Sequence, residues 1–192
     1  MSFLDSLENK SKRFDDPFLH WELDKPLSEE QINEIVKADI ANPIEHDLNY
    51  DGTRAIDGGA PEFRKGLSYG GKALKFRCFI TKENSNEFPY LMKLIKELQS
   101  KKTFEKVSKL VGKDLSNSYV RVEVICDRKG FWLKPHCDIE EKLMSCLLFI
   151  NKTNEKEDLG TDFYNNDLKK VKTMPYKDCL LYTSDAADDM AS

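Results

Sequence analysis

Histidine is the residue this chain can least spare. Only His20, His46 and His136 occur in 192 residues, so any chemistry that needs imidazole must draw on these three. Cysteine is odd in number and scattered: Cys78, Cys126, Cys137, Cys146 and Cys179 show no CxxC spacing. That pattern excludes a disulfide framework and a zinc ribbon, and fits reduced thiols in a cytosol. Charge of one sign is also lacking, with 30 basic against 34 acidic residues and a net charge of −4. Such a balance leaves no electrostatic footprint for nucleic acid or an anionic membrane. Apolar runs such as "CLLFI" are far too short to span a bilayer. The opening "MSFLDSLENKSKRFDD" has no apolar signal-peptide core, so a cytoplasmic location is expected.

What is present is an ordinary globular composition, 40% hydrophobic and 33% charged, long enough for one domain with a sizeable core. "PFLHWELD" reads as extended, and Ser28 with Gln31 forms a capping box ahead of a helix carrying Ile32, Ile35 and Val36. Ala41 to Gly71 is rich in Gly, Asp, Asn and Pro. It reads as a long irregular excursion of the kind that carries specificity. "LKFRCFIT" is a strand candidate, and "EFPYLMKLIKELQS" and "TFEKVSKLVGKDL" show helical spacing. From Tyr119 onward the period becomes two. Val120, Val122 and Val124 alternate with Tyr119, Arg121 and Glu123, and "FWLKPHCD", "LMSCLLFIN", "TDFYNND" and "KKVKTMPYKD" follow as further strands. Helices first and antiparallel strands second give an α+β domain.

"HCD" is the stretch that carries chemistry. On a strand, residues i and i+2 share a face, so His136 and Asp138 aim an imidazole and a carboxylate at one point while Cys137 turns away. These are two of the three donors in the two-His, one-carboxylate set that holds non-haem Fe(II). The alternative is a His–Asp pair that only hydrogen-bonds to itself on a turn.

The order "YVRVEVICDRKGFWLKPHCD", "LMSCLLFIN", "LGTDFYNND" resembles the 2-oxoglutarate- and Fe(II)-dependent oxygenases, in particular their prolyl-hydroxylase-like branch. The opening "PFLHWELDKPLSEEQINEI" also looks like that branch's first strand and helix. The resemblance implies N-terminal helices packed on a double-stranded β-helix, or jelly roll. It implies His136 and Asp138 as metal ligands, with Fe(II), 2-oxoglutarate and O2 as cofactor and cosubstrates, and it leaves room for ascorbate as an accessory reductant. The implied activity is hydroxylation of a small-molecule or peptide substrate that the sequence does not identify. A cosubstrate-binding Tyr of the branch is replaced near Asp127. If the three valines pack outward, Tyr119 and Arg121 become candidates for cosubstrate binding. Arg121 and Glu123 forming an ordinary charge pair is the competing reading. Trp132 is assigned to the core rather than the substrate entrance, and Ser145 and Lys142 lie close to the ligands in sequence.

The branch's second His and a following Arg come after HxD, yet the 54 residues after Asp138 contain neither. His20 reads as a half-buried structural residue and His46 as a solvated one. The last stretch, "CLLYTSDAADDMAS", has an acidic, small-residue second half without either period. Its beginning resembles one reading frame of a transposase adapter used in sequencing libraries. The expectation is therefore a single incomplete oxygenase-like domain over residues 1–178 and a non-native tail over 179–192, with an inactive chain. Competing readings are a non-catalytic jelly-roll module that binds a small molecule, a metal hydrolase using His136, Asp138 and other carboxylates, and a purely structural α+β domain with "HCD" on a turn.

Overall fold

The computed structural model describes residues 2–38, 40, 75–127, 130–138, 141–177, 180–184 and 190–191. The long excursion proposed for specificity, and His46 within it, lie outside the described residues. The chain begins with a helix that the sequence reading passed over, α1 (Phe3–Asn9), closed by a Ser2–Asp5 capping box. Strand β1 (Ser11–Phe14) turns back onto β2 (His20–Asp24). Helix α2 (Glu29–Lys37) starts at the Ser28–Gln31 box, in which each side chain reaches the other's backbone N–H. After β3 (Lys75–Phe79), helix α3 (Pro89–Leu98) has Pro at its first position, where the missing N–H costs nothing. Helix α4 (Lys101–Val111) runs from a Ser100 cap to Gly112, whose φ of 72° closes the helix in the left-handed region.

The strands that follow are β4 (Glu123–Asp127), β5 (His136–Cys137), β6 (Ser145–Phe149), β7 (Thr161–Tyr164), β8 (Lys170–Met174), β9 (Leu180–Ser184) and β10 (Met190–Ala191). Two four-stranded antiparallel sheets result, ordered β1-β2-β9-β6 and β5-β10-β7-β8, with β3-β4 as a separate ribbon. From β5 onward the chain crosses between the two sheets at every step except β7 to β8, which pair as neighbours in one sheet. Among the described residues the strands do not close into a barrel. Residues 180–184 and 190–191, in the stretch expected to be foreign, each take one of the two interior places in their sheet.

Alternation along the strands sorts their side chains between two layers. Trp21 and Leu23 of β2, Cys78 of β3 and Val124 of β4 pack with Phe3, Leu7, Ile32, Leu91, Leu94 and Val107 of the helices, and Leu148 of β6 joins them. Fully burying residues such as Leu23 is worth about 1.5–3 kcal/mol each, and this helix-facing core is the larger one. Phe149, one residue along from Leu148, packs instead with Phe163 of β7, Met174 of β8 and Phe18. His20, next to Trp21, reaches the same second layer. Its Nε2 accepts a 2.8 Å hydrogen bond from the Lys172 ammonium of β8. The two sheets therefore face each other across an aromatic layer and a polar clasp. His20 is fully buried rather than half-buried. Trp132, assigned to the core, is instead 48% exposed.

Candidate metal centre

β5 is short for a physical reason. Pro135 has no N–H to give to a ladder, so β5 begins only at His136. There β5 pairs with β10, Ala191 opposite His136, and β10 pairs onward with β7. His136 is half-buried, and its Nδ1–H donates to the Lys134 carbonyl at 3.0 Å. That bond fixes the proton on Nδ1 and puts the lone pair on Nε2, the arrangement a metal-ligating imidazole requires.

Asp138 is held at both oxygens. Lys142 Nζ lies 2.5 Å from Oδ1, and the Ser145 hydroxyl donates to Oδ2 at 2.8 Å. Lys142 and Ser145, singled out only by their place in the sequence, are thus the direct partners of the candidate ligand. Partial burial pushes the Asp138 carboxyl up. The hydrogen bonds from Lys142 and Ser145, with the Lys142 charge, outweigh it and leave the carboxyl below its ordinary value. Asp138 is therefore an ionised carboxylate at neutral pH.

The chemistry of the donor set suits a divalent metal as far as it goes. One imidazole nitrogen and one carboxylate match two positions of the facial set. Among the described residues no group of three or more His, Cys, Asp or Glu side chains gathers to hold a metal. His20 is not a stand-in: one ring nitrogen is committed to the Phe18 carbonyl at 2.8 Å and the other to Lys172. Burial lowers its pKa, aided by the Lys172 charge and opposed by the Phe18 hydrogen bond, so the ring is neutral.

The two cosubstrate candidates are placed differently. Tyr119 precedes β4 and is 80% exposed. Arg121 donates from Nε to Glu123 at 2.9 Å and lies over the Phe79 ring. Glu123 also takes a two-pronged contact from Arg77 on the facing strand, at 3.0 and 2.6 Å through one carboxylate oxygen. Arg121 and Glu123 thus form a charge pair that Arg77 extends across the ribbon. Val122 and Val124 turn toward the helices, as the alternation required.

No helix among the described residues is long and apolar enough to cross a membrane. The chain matches no family model, no curated protein and no solved structure.

Proposed function

We propose that this chain is most of a 2-oxoglutarate- and Fe(II)-dependent oxygenase domain of jelly-roll type, with His136 and Asp138 supplying two of its three metal ligands. The observation that carries the reading is the preparation of both donors. His136 has Nδ1 tied to a backbone carbonyl, and Asp138 is kept ionised by two hydrogen-bond donors. The division of β5 to β10 between two antiparallel sheets, with crossings at β5–β6, β6–β7, β8–β9 and β9–β10, supports the jelly-roll assignment. The ordered resemblance from Tyr119 to Asp167 supports the family.

When bound, iron and 2-oxoglutarate would supply the oxidising chemistry. The chain's own residues do the rest of the work. His136 Nε2 and one Asp138 oxygen would hold two adjacent positions, Lys134 O keeps the imidazole tautomer, and Ser145 keeps the carboxylate plane. The third imidazole and the carboxylate-pairing Arg belong, in this proposal, to natural sequence that residues 179–192 have replaced. The chain as it stands is accordingly inactive.

The test is to read the locus from an independent clone, express the completed protein and measure iron-dependent succinate formation from 2-oxoglutarate against His136→Ala. Turnover that needs His136 supports the assignment, whereas a completed protein no better than the variant refutes it. A second reading, a non-catalytic jelly-roll module that binds a small molecule, draws on one observation: no third donor joins the pair among the described residues. The completed sequence separates the two, because only the oxygenase reading requires a later His and Arg.

A further inference from the structure

We propose that Lys172 is an imine-forming nucleophile for small apolar aldehydes, with His20 as the base that moves its protons. The proposal goes beyond the oxygenase reading and uses none of its residues. Lys172 is half-buried on β8, and its ammonium meets His20 Nε2 at 2.8 Å and lies over the Phe14 ring, 5.1 Å from the centroid. Among the described residues no carboxylate lies within ion-pair distance of it. The half-buried Lys75, Lys106 and Lys142 differ, each being paired with an acid: Asp127, Glu8 and Asp138. A carboxylate partner holds the proton on an amine, whereas a neutral imidazole can take it. His20 is prepared to do so. Its Nδ1–H is committed to the Phe18 carbonyl at 2.8 Å, so Nε2 carries the lone pair, and burial keeps the ring neutral.

The surrounding side chains select the substrate. Phe14 stacks on His20 with centroids 5.0 Å apart, Phe18 tilts against His20 at 5.1 Å, and Phe18 meets Phe163 at 4.6 Å. Such rings give an apolar aldehyde contact area and give a carboxylate or phosphate no hydrogen-bond donor. Among the described residues β8 is an edge strand, which leaves Lys172 open to approach from that side. Lysine forms imines with carbonyl compounds once its nitrogen lone pair is free. The ammonium passes one proton to His20 Nε2 as its nitrogen bonds to the carbonyl carbon. The carbonyl π-bond breaks onto oxygen, which takes a second proton from the nitrogen. His20 then returns its proton to that hydroxyl, the C–O bond breaks, water leaves, and the nitrogen lone pair closes the C=N bond. The iminium keeps the positive charge and one N–H, so it can take the place of the ammonium against His20 and Phe14.

The test treats the full chain with benzaldehyde and sodium cyanoborohydride. The hydride fixes each imine as a secondary amine, which peptide mass analysis then locates. In the folded protein Lys172 is labelled at least about tenfold faster than the exposed Lys12 of β1. The preference disappears in urea, where the two lysines react alike. His20→Gln still offers the ammonium an acceptor but cannot take its proton. While circular dichroism shows that variant folded, its Lys172 drops to the Lys12 rate. Glyoxylate, a charged aldehyde, shows less preference for Lys172 than benzaldehyde does. Labelling of Lys172 no faster than Lys12 in the folded wild type overturns the proposal without reference to any variant. A folded His20→Gln that labels Lys172 at the wild-type rate overturns the role of His20, and an equal preference with glyoxylate overturns the apolar substrate class. None of these results bears on iron or His136.

Discussion

Acid should loosen the sandwich through one buried imidazole. His20 is fully buried, donates from Nδ1 to the Phe18 carbonyl, accepts from Lys172 on the facing sheet, and stacks on Phe14 at 5.0 Å. Burial sets its pKa below the ordinary value. In the unfolded chain the same ring takes a proton near pH 6.5, at about the ordinary value for histidine. The folded state binds that proton less readily, so the stabilisation is complete above that pH and is lost as pH falls through it. The slope from a single group reaches about 1.4 kcal/mol per pH unit, and the upper limit at about pH 5 is about 2 kcal/mol. His20→Gln removes the titration while offering Lys172 an amide oxygen. It gives up the stacking and the bond to Phe18, a loss of about 2 kcal/mol at neutral pH. Urea unfolding of both proteins between about pH 7.5 and 5 should show the gap closing as the wild type weakens and the variant does not. Curves that stay parallel across that range refute the assignment of a neutral, buried His20.

Two further substitutions probe the frame. Gly160→Ala would drive a Cβ into the Met174 carbonyl at the end of β8, where the backbone cannot yield cheaply. Thermal unfolding should show a loss of about 1–3 kcal/mol, and an unchanged midpoint would place that turn elsewhere. Arg77→Met removes the guanidinium that lies over Phe79 and leaves the nearly buried Glu123 with Arg121. A loss of about 2–3 kcal/mol is expected, and a change within about 0.5 kcal/mol would mean the pair is solvated.

Local rules were legible in the sequence where the determinant was local. The Ser28–Gln31 box needs only its neighbours and appears at its residues, and of the alternating valines Val122 and Val124 turn toward the helix-facing core. Helix α1 carried the same kind of signal in Ser2 and Asp5, with Phe3 and Leu7 on one face. A seven-residue helix is stable only by packing, however, and periodicity over two turns is too short to stand out. Val36 has helical spacing with Ile32 yet is 53% exposed, because the apolar stripe that packs is narrower than the one that can be drawn. The candidate site divides in the same way. The i, i+2 relation of His136 and Asp138 is local, whereas the grip of Lys142 and Ser145 on Asp138 depends on the β5–β6 link folding back. Composition holds no trace of that fold. The His20–Lys172 clasp, spanning 152 positions, is likewise a product of two sheets meeting.

The interior places of β9 and β10 bear on the tail in a way that pairing alone does not decide. Leu180–Ser184 fills the slot between β2 and β6 with five rungs on each side, and Met190–Ala191 fills that between β5 and β7. Ladder bonds are made by backbone N–H and C=O groups, so a slot flanked by two unpaired edges accepts any extended segment without Pro. "LLYTS" has the aromatic and Thr content that suits a strand, whatever its origin. Ending the chain at Asp178 would leave four strands with an open edge, and the shortened protein should scatter light and lose solubility. Replacing residues 180–184 with an alternating Val and Thr segment should preserve solubility, because it restores rungs and not identity. If the shortened chain stays monomeric with an unchanged melting temperature, the two slots are not filled by these residues. If the Val and Thr replacement fails where the original succeeds, the segment contributes side chains of its own and belongs to the fold.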